Sequence, residues 1–237
     1  MQADAIIFDK DGTLIDFDAF WVAISAKAVK TFLHAIDRTD IPVERLLAAF
    51  GVQDGVADID GVLCKGTYEQ MGRIMHTVLC EYGCVFTCEQ VTKQMVDIYA
   101  DCTDAGVIKP TCSRLVDVLC ELKRRGKKLA LVTTDNADIT KKCLQMLNVA
   151  HLFDKIYTDD GKIPLKPHPF CAQDFSRLTG IETKRMVMVG DTMTDVLFAE
   201  NAGMPMVALV KNERSRALLE PTATAVITDL SELLQED

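Results

Sequence analysis

Ala5-Ile6-Ile7-Phe8-Asp9-Lys10-Asp11-Gly12-Thr13-Leu14 is the stretch on which the reading of this chain turns. Four consecutive apolar residues read as a short buried strand, and the strand delivers Asp9 and Asp11 to its carboxyl end, where open α/β sheets place their ligands. Gly12 frees the backbone for a sharp turn and Thr13 adds a hydroxyl beside the acids. Acids and a glycine after a strand also make an ordinary turn, so the decision rests on what lies downstream.

Downstream, helices and short apolar strands alternate. Thr111 to Arg125 reads as a helix stopped by Gly126, Leu129 to Val132 as a buried strand ending at Thr133-Thr134-Asp135-Asn136, and a helix follows to Leu147. Lys155 to Thr158, Met186 to Val189 and Met206 to Leu209 read as further strands, separated by helices at Phe170 to Leu178 and Asp195 to Ala202. Strands spaced this way imply an α/β fold with a doubly wound parallel sheet. The segment just after Leu14 does not fit a direct crossover. Phe17, Phe20, Trp21, Ile24, Ala28 and Phe32 fall at helical spacing, and helical patterns follow at Pro42 to Phe50, Tyr68 to Tyr82 and Glu89 to Asp101. The expectation is a core formed by residues 1–16 and 109–237, with residues 17–108 as an all-helical insert. Within the insert, the polar run from Gly51 to Thr67, holding Asp54, Asp58, Asp60 and Lys65, reads as a long loop.

A chain of 237 residues with 49% hydrophobic residues can build one sizeable core and a smaller inserted unit. The formal net charge of −9 repels nucleic acid and anionic membrane alike, so any anionic substrate has to be held locally. No segment reads as a signal peptide or a membrane span, and nine cysteines without a Cys-x-x-Cys pair fit reduced thiols, so a cytoplasmic protein is expected. Cys80, Cys84 and Cys88 recur every four residues, but Gly83 interrupts that helix and no histidine follows at metal-binding spacing. They read as small packing residues.

Three strand ends present polar residues on one sheet edge: Asp9 with Asp11, then Thr133, then Gly190-Asp191-Thr192-Met193-Thr194-Asp195. Lys166 stands before Pro167 in the intervening loop. A lysine, a hydroxyl and several carboxylates are hard oxygen ligands and a counter-charge, a set suited to phosphate and Mg²⁺.

In their order along the chain, Asp9-Lys10-Asp11-Gly12-Thr13, Thr133, Lys166-Pro167-His168-Pro169 and Gly190 to Asp195 resemble the motifs of the haloacid dehalogenase superfamily of phosphatases. The layout is similar to its phosphoglycolate-phosphatase-like subgroup. The resemblance implies a Rossmann-like core with a helical cap inserted between the first two motifs, and a Mg²⁺-dependent phosphatase acting on a small phosphorylated metabolite. It also implies roles: Asp9 as the nucleophile that becomes an aspartyl phosphate, Asp11 as general acid and then base, and Thr133 and Lys166 as holders of phosphoryl oxygens. Asp191 would ligate Mg²⁺ with the Asp9 side chain and the Asp11 carbonyl, and Asp195 would support the ligands from behind. Lys10, Phe17 and Thr134 depart from what relatives commonly carry. Lys10 and Phe17 are expected not to touch the catalytic set, and Thr134 stands beside Thr133 as a second candidate phosphate contact. Lys65 is a candidate contact for the organic part of the substrate.

Other readings share parts of this pattern. A phosphoglucomutase-like isomerase uses the same core, and a phosphonate hydrolase would need a Schiff-base lysine such as Lys27, Lys30 or Lys65. A response-receiver domain lacks a large insert, a dehalogenase does not need Asp11, and a non-catalytic phosphate-binding regulator would keep the motifs without turnover. Asp58-Ile59-Asp60-Gly61-Val62-Leu63 copies the pattern of the first motif without an apolar strand before it, and reads as part of the insert's loop.

Overall fold

The computed structural model describes residues 3–235. They fall into two compact units, one made of the stretch up to Asp16 together with everything from Ile108, the other of Phe17–Val107. Strand β1 (Ala5–Phe8) opens the first unit and is buried along its whole length, as a parallel strand covered on both faces must be.

The inserted unit begins with a turn of π-helix at Asp18–Val22 that runs into α1 (Ala23–Ala35). Next come α2 (Val43–Ala49), β2 (Val52–Gln53), β3 (Val56–Ala57), α3 (Val62–Lys65), α4 (Tyr68–Glu81) and α5 (Cys88–Asp101). The insert is therefore not all-helical. β2 and β3 pair antiparallel, and the turn between them is Asp54-Gly55, with φ of 50° and 78°. Two successive left-handed residues give the backbone twist that a two-residue hairpin requires. The run from Gly51 to Thr67 is thus a hairpin and a short helix instead of an open loop. α4 and α5 each start in a capping box, Thr67 with Gln70 and Thr87 with Gln90, each worth about 1 kcal/mol. Their buried faces, Met71, Met75 and Leu79 on one and Val91, Met95 and Tyr99 on the other, form the insert's core with Ile24, Ala28 and Phe32 of α1. Gly83, at φ 75°, ends the helix before Cys84, whose sulfur lies 2.7 Å from Arg38 Nη1. All nine cysteines are free thiols.

After the insert come α6 (Leu115–Arg124), β4 (Lys128–Asn136), α7 (Ala137–Met146), β5 (Lys155–Asp159) and α8 (Phe170–Thr179). The chain continues with β6 (Met186–Gly190), α9 (Met193–Ala202), β7 (Met206–Leu209), α10 (Glu213–Leu219) and β8 (Ala225–Ile227). The six strands form one sheet in the order β5-β4-β1-β6-β7-β8, and every neighbouring pair is parallel. The chain builds outward from β1 through β4 to β5, then recrosses to lay β6, β7 and β8 on the other side. β1 is therefore the topological switch point, where the connecting loops diverge and leave a crevice at the carboxyl ends. This is the Rossmann-like doubly wound core, and α10 and β8 extend it past Leu209, the last strand read from sequence. At the base of the insert, Asp16 N donates to Lys109 O at 2.8 Å and Thr111 N to Leu14 O at 3.1 Å, so the outgoing and returning segments are tied together within the core unit. None of the described helices is long and apolar enough to cross a membrane.

Candidate active site

Asp9 N still donates to Val189 O at 2.9 Å, so the strand ladder carries Asp9 to the edge of the sheet before the chain turns. The turn closes on itself: Leu14 N and Ile15 N both donate to Lys10 O, at 2.8 and 3.0 Å, and Gly12 N donates to Ile15 O at 2.7 Å. Gly12 has φ 88°, and a Cβ there would fall 2.0 Å from Asp191 Oδ2. Only glycine satisfies both the dihedral and the approach, so the glycine is what lets the β1 turn and the β6 turn meet. Thr13 Oγ1 donates to Asp191 Oδ1 at 3.1 Å across the same junction.

Lys166, in a loop where the Lys166–Pro167 bond is cis, donates to Asp9 Oδ1 at 2.5 Å and to Asp195 Oδ1 at 2.6 Å. Asn201 Nδ2 donates to Pro167 O at 2.9 Å and fastens that loop to α9. Asp195 is fully occupied, because its Oδ2 accepts from Thr192 N at 3.1 Å and Thr192 Oγ1 at 2.8 Å. Carboxylate oxygens of Asp9, Asp191 and Asp195 lie within 4.8 Å of one another. Burial, reinforced by Asp195 and Asp191, pushes the Asp9 carboxyl well up against the pull of Lys166. Burial likewise pushes Asp191 up to about 7, opposed by Lys211, whose Nζ is 3.9 Å from Asp191 Oδ2. Burial pulls the Lys166 ammonium down, but Asp195 and Asp9 outweigh it and leave it above its ordinary value. Crowded acids that resist ionisation, made of hard oxygen donors, are the environment a divalent cation would relieve, and the residues fit Mg²⁺.

Thr133 is buried at the end of β4, next to β1 in the sheet, and its Oγ1 accepts from Asp135 N at 3.1 Å. Thr134, the next residue, is exposed. Lys65 belongs to the inserted unit, where its ammonium is paired with Asp60. Asp58 and Asp60 are in that unit too, Asp58 Oδ1 accepting from Asp60 N at 2.9 Å in a local turn.

At the site itself an expectation is overturned. Lys10 does touch the acids: its side chain is fully buried, its Nζ is bonded to Asp135 and lies 3.1 Å from Asp11 Oδ2. Burial pulls its ammonium down, but Asp11 and Asp135 outweigh it and hold it above its ordinary value. Strand alternation directs Lys10 away from Asp9, and the tight turn brings Asp11 back toward it. The sequence signal was a lysine between two acids, and Asp135, at the next strand end, was the partner that could have been sought. Lys211, just past β7, was missed as well.

The family described as haloacid dehalogenase-like hydrolase matches residues 3–203. Phosphoglycolate phosphatase 1 of Pseudomonas aeruginosa is 28% identical over 97% of this chain and 78% of its own length. Pyrophosphatase PpaX of Bacillus cereus strain AH820 is 32% identical over 99% of this chain and 96% of its own. Among solved structures, the magnesium-bound HAD-hydrolase YfnB of Bacillus subtilis superposes with a TM-score of 0.65 at 17% identity, covering 98% of this chain and 97% of that one, which speaks for the fold. With its motifs on the strand ends of a doubly wound sheet and the family match spanning most of its length, this chain belongs to the haloacid dehalogenase-like hydrolases.

Proposed function

We propose that the chain is a Mg²⁺-dependent phosphomonoesterase that hydrolyses a small phosphorylated metabolite through an aspartyl phosphate on Asp9. The observation that carries this reading is the environment of Asp9: a carboxylate at the sheet's switch point, 2.5 Å from a buried ammonium, with two further acids close enough to share a cation. The named activities of the phosphoglycolate phosphatase and pyrophosphatase relatives support it.

In the first step Asp9 attacks phosphorus, and the bond to the leaving oxygen breaks with its electron pair on that oxygen. Asp11 gives its proton to that oxygen. In the second step Asp11, now a base, takes a proton from water as the water attacks the phosphoryl group, which frees Asp9 and releases phosphate. Lys166 and the Thr133 hydroxyl hold phosphoryl oxygens, and Lys166 orients Asp9 while Asp195 keeps Lys166 in place. Asp9, Asp191 and the Asp11 carbonyl would hold Mg²⁺, whose contribution when bound is to neutralise charge on the transferring group. The inserted unit serves as the cap that selects the organic group, through the 51–67 segment and Lys65 in particular. The nine free thiols and the net charge of the whole chain fit a cytoplasmic protein.

The test is a panel of phosphorylated metabolites, with phosphoglycolate and inorganic pyrophosphate among them, assayed for phosphate release with and without Mg²⁺. The reading expects one substrate class to stand out, release to need the metal, and a single turnover to leave acid-stable label on Asp9 at low pH. No release from any member, or release that persists in Asp9→Asn, would refute it.

A further inference from the structure

Among the described residues of the core unit two lysines are buried, Lys10 and Lys166, and each one bridges two aspartates. Lys166 joins Asp9 of the β1 turn to Asp195 in the first turn of α9. Lys10 joins Asp11 of the same β1 turn to Asp135 at the end of β4. The two bridges extend to opposite neighbours of β1, which lies between β4 and β6 in the sheet. Asp135 is itself fixed, with Asn136 N donating to its Oδ1 at 2.8 Å and its own N–H donating to Thr133 Oγ1 at 3.1 Å.

We infer that Lys10 and Asp135 position the Asp11 carboxyl for proton transfer, as Lys166 and Asp195 position Asp9 for attack. This rests on the reading of Asp11 as the proton donor and acceptor. A fully buried ammonium is retained only where carboxylates compensate it, and here one of the two is the group expected to do the chemistry. Asp11 follows Lys10 on a turn, with its side chain 16% exposed and its Oδ2 3.1 Å from the Lys10 ammonium. The bridge sets its direction toward the leaving oxygen. It also places a fixed positive charge beside Asp11 once the proton has gone to that oxygen and the carboxylate is left ionised. Through Asp135 the same bridge holds the backbone that presents Thr133, so the proton-transfer group and a phosphate-holding hydroxyl share one support.

Leaving-group dependence separates positioning of Asp11 from general damage, because a p-nitrophenolate departs without a proton and an alkoxide does not. Four variants are compared with the parent: Lys10→Met, which keeps the length and apolar stem, Asp135→Asn, Asp11→Asn, and Lys10→Met with Asp11→Asn. Each is assayed on p-nitrophenyl phosphate and on the best alkyl phosphate of the panel, after circular dichroism shows it folded. Lys10→Met should lose about 100-fold in kcat on the alkyl phosphate, less than about 10-fold on the aryl phosphate, and change KM little. Asp135→Asn should lose less, with the same bias. The double variant should be no slower than Asp11→Asn alone, since Lys10 has nothing left to position. Equal losses on the two substrates, additive losses in the double variant, or an unchanged kcat in Lys10→Met would overturn the inference. Should Lys10→Met not fold, the bias or its absence in Asp135→Asn decides the matter. If Asp11→Asn itself shows no leaving-group bias, the failure lies in the assignment of Asp11 and not in its bridge.

Discussion

Two stretches of this chain share one pattern. Asp9-Lys10-Asp11-Gly12-Thr13-Leu14 and Asp58-Ile59-Asp60-Gly61-Val62-Leu63 each place two acids one residue apart, then a glycine. The first follows a buried strand at the centre of a six-stranded sheet, and its glycine takes φ 88° against Asp191. The second follows the two-residue strand β3, its glycine has φ −68°, and the chain enters α3 directly. Its acids face each other and their own lysine, with Asp58 accepting from Asp60 N and Asp60 paired with Lys65. The difference lies in what the backbone hands to the acids. A central parallel strand delivers them to an edge where loops from two neighbouring strands add a lysine and more carboxylates, whereas a hairpin delivers them into a local turn beside Lys65.

The sharpest way to break this contrast is to neutralise the leading acid of each stretch. Asp9→Asn keeps the shape and the hydrogen-bonding partner of Lys166 but removes the proposed nucleophile, so turnover should fall by about 10³-fold or more. Steady-state kinetics on the best substrate measures it. Near-normal kcat in Asp9→Asn would erase the distinction between the two stretches.

That distinction was partly visible in the sequence. The Ala-Ile-Ile-Phe run marks a strand buried on both faces, and the spacing of later apolar runs with helices between them gives the parallel sheet. Asp191 was legible for the same reason, because it follows such a run, whereas Lys166 was marked only by the proline after it in the loop between two elements. What was not legible depended on contacts between distant segments. Lys10 is expected not to touch the catalytic set until β4 is known to bring Asp135 beside it. The hairpin at Val52–Ala57 was written locally, as an Asp-Gly pair between valines, but strands of two residues carry too little alternation to stand out from a polar loop. α10 and β8 follow a strand whose companion is three residues long, with the same result.

The glycines give the second test. Gly12→Ala demands a left-handed alanine whose Cβ would lie 2.0 Å from Asp191 Oδ2, and it should cost about 2 kcal/mol or more in stability. It should also abolish most of the rise in Tm on adding Mg²⁺, since Asp191 must move. In Gly61→Ala the backbone is already in a region open to any residue, and the new Cβ meets Asp58 O and Phe50 O at 3.0 Å. Some stability is lost there, but the Mg²⁺-induced rise in Tm should match the parent. Melting curves with and without the metal compare the two, and an equal loss of metal response would place both glycines in one site.

The pH dependence sharpens the contrast at smaller scale. Burial holds Asp191 up to about 7, above the ordinary carboxyl value of 3.8. A carboxyl raised in the fold favours the fold when protonated, so without metal this contribution is complete below about pH 4 and is lost as pH rises through 7. The proposed Mg²⁺ would bind the ionised form, so its effect would run the opposite way. The metal-induced rise in Tm should be largest near pH 8 and shrink below pH 7 by about 1.4 kcal/mol of binding per pH unit. Replacing Asp60 with Asn should leave this profile in place. A rise independent of pH from 5.5 to 8 would remove Asp191 from the metal site.

Asp58→Asn should have the smallest effect. Asn keeps an Oδ1 that can accept from Asp60 N, so the local turn survives, and asparagine is as suited to such turns as aspartate. The substitution removes one negative charge from a half-exposed position in the inserted unit, where solvent screening leaves little net interaction. Stability should stay within about 0.5 kcal/mol of the parent, and the apparent Mg²⁺ affinity and kcat on p-nitrophenyl phosphate should be unchanged. Isothermal titration with Mg²⁺ alone reads the decisive quantity. A tenfold weakening of metal binding, in protein with an unaltered melting curve, would mean that the second Asp-x-Asp-Gly stretch reaches the cation. The metal would then have to be assigned to both stretches, and delivery by a central strand would no longer separate them.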